Sequence, residues 1–126
     1  MNTEQRKTKR FLTLDNAFVA LRSGFKKVGR INDISIKGLS FSYLSEPIES
    51  VVDSGSSQVD IFLSEENGFY LSHVPCKVVS EIPEPTFKES DILMRYQCSL
   101  HFGKLTTNQL EQLEFFIKNY TIELSL

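Results

Sequence analysis

Arginine grips a phosphate through two parallel hydrogen bonds, which lysine cannot do. Two arginines stand four apart near the start of the chain, in Arg6-Lys7-Thr8-Lys9-Arg10, an RxxxR pattern. Farther along, Asp33-Ile34-Ser35-Ile36-Lys37-Gly38 has the form DxSxxG. Its aspartate, once ionised, is an acceptor only, and its serine both donates and accepts. Each pattern also has an ordinary explanation. A terminal basic run is usually a solvated arm, and DxSxxG can be a strand that ends in a turn with Gly38 supplying the turn geometry. Two arginines at this spacing arise by chance in roughly a quarter of chains of this length, the second pattern in roughly 3%, and both in this order in about 1% or fewer.

Other chemistry has little support. The two histidines, His73 and His101, lie in strand-like segments with no nucleophile context, and no GxSxG or HExxH occurs. The six glycines are scattered, so there is no phosphate loop. Glu65-Glu66 reads as a solvated turn. Cys76 and Cys98 have no CxxC spacing and read as small buried residues in a reducing compartment. These features predict a protein that is not an enzyme and carries no metal or cofactor.

The charge distribution points the same way as the arginines. Overall there are 14 basic and 16 acidic residues, net −2. Residues 1–30 hold eight basic against two acidic side chains, a balance of +6, and residues 31–126 carry −8. This split disfavours a general nucleic-acid binder and suits a basic patch with a small anionic target.

The elements that must position these residues are mostly short strands. Residues 16–23, 26–36, 38–44, 58–63, 69–82 and 93–102 alternate or run apolar and are punctuated by turn residues. Alternation over 26–36 predicts Ile34 and Ile36 facing the core, with Asp33 and Ser35 on the other face. Residues 45–57 read as a polar connection, Glu66-Asn67-Gly68 as a hairpin turn, and 83–91 as a loop. Pro75 inside the fifth strand predicts an edge position or a bulge. Past Gly103 the period changes. Thr106 with Gln109 is a capping-box pattern, and Leu110, Leu113, Phe116, Ile117 and Tyr120 form one helical stripe. Six strands and a terminal helix in 126 residues predict one all-β domain, a small antiparallel barrel or sandwich with the helix as a lid. No run reaches the roughly 18 apolar residues of a membrane helix, and no signal-peptide stretch follows the first ten residues, so a cytoplasmic protein is expected.

Taken together, RKTKR, NDISIKGLSF and the closing LHFGKLTTNQLEQLEFFI resemble the PilZ domain, the bacterial receptor module for cyclic diguanylate, from about Gln5 to about Tyr120. The resemblance implies a six-stranded antiparallel β-barrel with a C-terminal helix at 106–120 and a flexible arm at 1–12. It implies that Arg6 and Arg10 close on the ligand while Asp33, Ser35 and Gly38 hold it from the barrel. The residue types suit that ligand. Arginine pairs with the O6/N7 edge of guanine or lies on its ring. Asp33 can accept from the N1 and N2 hydrogens of guanine, and Gly38 permits close approach to the backbone.

Family members often have glycine where this chain has Ser99, a departure expected to affect packing rather than binding. The connection 45–57 is longer than usual for the family, and the residue before the arginines, Gln5, bears on whether the ligand binds singly or as a stacked pair. Arg22 and Arg30 are candidates to face the same site. The expected mechanism is that ligand orders the arm and a separate protein reads the result, with no DNA binding and no membrane insertion. Two other readings compete. One is a PilZ-like interaction module that does not bind the nucleotide. The other is a barrel for single-stranded nucleic acid, against which the −8 balance of residues 31–126 argues.

Overall fold

The computed structural model describes residues 9–23, 25–45, 57–65, 68–88 and 93–123. The strands are β1 (Phe11–Thr13), β2 (Ala17–Ser23), β3 (Phe25–Ile34), β4 (Gly38–Ser45), β5 (Ser57–Leu63), β6 (Tyr70–Lys88) and β7 (Met94–Phe102). Helix α1 (Thr107–Tyr120) and the short β8 (Thr121–Glu123) complete the described elements. Six strands in the order β2-β5-β6-β7-β4-β3 close into an antiparallel barrel through a β2–β3 pairing. Closure removes the free edges that an open sheet would present. β3 is long enough to leave β2 after Arg30 and continue onto β1, which pairs in turn with β8.

Alternation decides what fills the barrel. Val19, Leu21, Ile31, Phe41, Val59, Ile61, Val74, Cys98 and Leu100 are all at most 3% exposed and point inward. The helix covers this core with Leu113, Phe116 and Ile117. Phe116 lies 5.1 Å from the Phe69 ring and 5.6 Å from the Tyr120 ring, within the range of favourable aromatic pairs. Leu110, at the start of the apolar stripe, is instead 38% exposed.

The capping box forms as the sequence predicts. The Gln109 backbone N–H donates to Thr106 Oγ1 at 3.0 Å, and the Thr106 N–H donates to Gln109 Oε1 at 3.0 Å. Gln109 Nε2 also donates to the His73 carbonyl at 3.1 Å, which ties the helix start to β6. His73 has φ +59 in a bulge where β6 carries one residue more than β5. A left-handed non-glycine residue needs support, and Asp60 Oδ1 supplies it by accepting the His73 N–H at 2.9 Å.

Of the two expectations for Pro75 the structure takes the second: β6 lies between β5 and β7, so Pro75 is not on an edge, and a bulge lies two residues away at His73. Three sequence expectations change here. Residues 83–88, expected as loop, continue β6, because pairing with β7 resumes at Lys88. The arm expected over 1–12 is strand from Phe11 onward, held by β3 and β8. Ile36 is 46% exposed rather than in the core, for a reason that belongs to the site. The connection 46–56 and the pair Glu66-Asn67 lie outside the described residues.

Candidate functional site

The junction of β3 and β4 places the second motif. Ile31 pairs with Phe41 and Asp33 with Ser40, so β3 carries one extra residue at Asn32. Such a bulge re-aims the next side chain. Ile31 and Ile34 are both buried, while Asp33 between them turns outward. The strand then stops. The Ser35 N–H donates to the Gly38 carbonyl at 2.8 Å. Ser35 Oγ accepts the N–H groups of Lys37 at 3.0 Å and Gly38 at 3.3 Å. A serine hydroxyl that captures nearby backbone donors competes with the ladder and makes a turn. That is why alternation ends at Ile34 and Ile36 sits at an exposed tip. Ser35 is thus an organiser of the turn, 9% exposed, and it lines the cleft from beneath.

Gly38 is buried against β7. A Cβ there would lie 2.2 Å from the Leu100 carbonyl oxygen and 3.1 Å from His101 Cα. The expected space for a ligand at that Cβ position is therefore filled by the chain's own backbone. Glycine at 38 lets β4 and β7 approach each other, and the cleft forms beside that contact.

The pairing of β1 with the end of β3 brings the first motif to the second. Phe11 pairs with Ile34 and Leu12 with Asp33, which leaves Arg10 beside the turn. Arg10 Nη2 is 2.9 Å from Asp33 Oδ1, across 23 residues of sequence. Arg10, Asp33, Ser35 and Gly38 all line one cleft of about 270 Å³. Arg6 lies outside the described residues.

The cleft also contains residues that motif reasoning did not assign. Lys37, Ser99 and His101 line it, with Leu39 and Leu100 behind them. Ser99 was expected to matter for packing only. Its register with Ser40, itself paired to Asp33, puts it in the cleft wall. The signal was present in β7, where Gln97, Ser99 and His101 alternate outward from Tyr96, Cys98 and Leu100; what was missing was the β4–β7 register. Arg22 and Arg30 do not line this cleft. Arg22 Nε and Nη2 donate to Asp60 Oδ2 at 3.0 and 2.6 Å. Arg30 lines a separate cavity with Asn32, Ser42 and Arg95.

Two further polar clusters are structural. Burial alone would raise the Asp60 carboxyl, but the His73 N–H, Arg22 and Tyr70 together hold it below its ordinary value. Inside the barrel, Lys27 Nζ lies 2.7 Å from Glu81 Oε2, and the Tyr43 hydroxyl donates to the same carboxylate. Burial first, and then this carboxylate, push the Tyr43 phenol upward. Burial likewise pushes the Cys98 thiol up to about 12, with the Glu81 charge adding to it. Among the described residues no group of His, Cys, Asp and Glu is placed to hold a metal ion, and no helix is long and apolar enough to cross a membrane.

The site thus offers a guanidinium, a carboxylate, an ammonium, a hydroxyl and an imidazole around an open cleft, a set suited to an anion that also carries hydrogen-bond donors. The sequence profile of the PilZ domain matches residues 4–119. No curated protein matches the chain in sequence. Among solved structures, the PilZ domain of YcgR from Escherichia coli with c-di-GMP is similar at a TM-score of 0.69 and 13% identity, covering 93% of this chain and 92% of that one. The MrkH–c-di-GMP complex of K. pneumonia is similar at 0.67 and 16% identity, over 93% of this chain and 52% of that one. PlzA of Borreliella burgdorferi in complex with c-di-GMP gives 0.52 and 12%, over 89% and 53%. The chain therefore spans about half of those last two proteins, and at these identities the likeness is one of fold.

Proposed function

The chain belongs to the PilZ domain family, and from that premise we propose that it is a receptor for cyclic diguanylate (c-di-GMP), which binds in the cleft between Arg10 and the Asp33–Gly38 turn. The observation that carries this reading is the 2.9 Å contact between Arg10 and Asp33, which joins the two motifs at one cleft. Arg10 Nη2 donates to Asp33 Oδ1, so the two groups are paired with each other. A cyclic dinucleotide offers each a better partner. Its phosphate takes Arg10 in a charge-assisted, bidentate contact, and the N1 and N2 hydrogens of a guanine take the Asp33 carboxylate.

The remaining residues have supporting roles. Ser35 fixes the turn and presents its carbonyl-capped loop to the ligand. Gly38 keeps β4 and β7 close enough to form the floor. Arg6 closes on the exposed side of the ligand from the chain's N-terminal segment. Ordering of that segment then alters a surface that a separate cytoplasmic protein reads. In this proposal the chain is one domain that acts by binding and performs no catalysis.

Isothermal titration of micromolar protein with c-di-GMP tests the reading. Saturable heat is expected from the wild type. Arg10→Ala should weaken binding by about 2–3 kcal/mol, the range for hydrogen bonds to charged groups. No heat from folded wild-type protein, or an Arg10→Ala variant with unchanged affinity, would contradict it.

A further inference from the structure

Lys37 occupies a variable position of the DxSxxG motif and His101 lies outside both motifs, yet both line the same cleft as Arg10 and Asp33. We propose that they form a second anion-binding end of the site, which holds the phosphate of the cyclic dinucleotide remote from Arg10. This rests on the c-di-GMP reading above and extends it by assigning the second phosphate to residues of this chain.

The geometry of the barrel separates the two ends. Asp33 on β3 is in register with Ser40 on β4, and Ser40 with Ser99 on β7. Two strand spacings therefore lie between Asp33 and Ser99, roughly 10 Å, and His101 is two residues farther along β7, roughly 7 Å more in the perpendicular direction. The Arg10–Asp33 end and the His101 end are thus roughly 12 Å apart at the backbone. Arg10 at one end and Lys37 and His101 at the other line one cleft, and would meet the two phosphates on opposite sides of one macrocycle.

The second end is built rather than accidental. The Phe102 N–H donates to the Lys37 carbonyl at 2.8 Å, and Gly38 pairs with His101, so the turn bearing Lys37 is fastened beside His101. His101 is also in register with Lys77 on β6. Lys37, His101 and Lys77 are all exposed. Lys37 and His101 line the cleft at this end while Lys77 stands beside it on β6 without lining it, and among the described residues neither Lys37 nor His101 is in an ion pair. Arg10, by contrast, is already engaged by Asp33.

The test is titration of c-di-GMP into wild type, Lys37→Gln, His101→Gln, the double variant, Arg10→Ala and Lys104→Gln at low and high salt. Lys104 is exposed and does not line the cleft, so it controls for loss of one positive charge. Each single cleft variant should bind about tenfold more weakly, and the double variant more weakly than either, with a flatter salt dependence than wild type because one anchored charge contact is gone. Lys104→Gln should stay within about twofold, since Lys104 does not line the cleft and an exposed charge is screened. Wild-type affinity and salt dependence in the double variant, with binding lost in Arg10→Ala, would overturn this inference and leave the receptor reading intact. No binding by wild type would overturn both. Because Lys37, His101 and Lys104 are exposed and Arg10 is only half-buried, circular dichroism should show all variants folded.

Discussion

Replacing Gly38 by alanine should destabilise the ligand-free protein. The added Cβ would sit 2.2 Å from the Leu100 carbonyl oxygen, and the obstacle is backbone, which cannot rotate away. Ordinary contact begins more than 1 Å farther out, so β4 and β7 must part locally. The Phe102 N–H to Lys37 carbonyl bond, 2.8 Å long, lies at that point and would weaken. Overpacking of this kind costs roughly 1–3 kcal/mol and a weakened backbone bond about 1 kcal/mol more. The loss of chain entropy in the unfolded state returns about 0.4–1 kcal/mol. A net loss of about 2–3 kcal/mol follows, which for a chain of 126 residues is a melting temperature lower by roughly 10 °C. Gly103→Ala is the milder comparison, because its Cβ would lie 3.2 Å from Pro75 Cβ and 3.6 Å from Pro75 Cγ and the Pro75 carbonyl oxygen, so the neighbour need give by only a few tenths of an ångström. Thermal unfolding followed by circular dichroism, without nucleotide, reads both variants. A Gly38→Ala protein that melts with the wild type would refute the argument and return Gly38 to a purely ligand-facing role.

Other expectations follow from the same packing. The Asp60 carboxyl titrates below its unfolded value, so the unfolded chain takes up the proton first; the stabilisation from Asp60 is complete above about pH 5 and is lost as pH falls through the folded value. Urea titrations at pH 7 and pH 3.5 should therefore show a smaller acid loss in Asp60→Asn than in wild type, and an equal loss in both would reject this. At neutral pH the same variant should be about 2–3 kcal/mol less stable, since its amide no longer receives the His73 N–H and the arginine as a carboxylate does. Phe116→Ala should cost about 3–5 kcal/mol, because the ring is fully buried between the barrel and the helix; a loss under 1 kcal/mol in denaturant unfolding would show that the helix is not an integral lid. Cys98, buried and with its thiol raised to about 12, should resist iodoacetamide in the folded protein and react on denaturation, as mass spectrometry would detect.

The fold was largely legible because its signals are local. Strand alternation in β4 and β7, the Thr106–Gln109 box and the stripe through Leu113, Phe116 and Ile117 each follow from neighbouring residues. What escaped the sequence depends on register between distant strands. Ile36 read as core because alternation was carried past Ile34, where the bulge at Asn32 and the Ser35 turn interrupt it. Ser99, Lys37 and His101 joined the cleft only once β7 was aligned with β4 and the turn. Arg22 had a positive charge to suggest a role at the site, but the carboxylate that holds it, Asp60, is 38 residues away. The reason for glycine at 38 was equally hidden, since the carbonyl that demands it belongs to Leu100 on another strand.

The receptor reading is tested most directly by a crystal structure of the full chain grown with excess c-di-GMP. The account predicts nucleotide density in the cleft, with a phosphate on Arg10, a guanine edge on Asp33 and the other phosphate beside Lys37 and His101. An empty cleft with Arg10 still paired to Asp33, or a nucleotide seated elsewhere on the barrel, would contradict it.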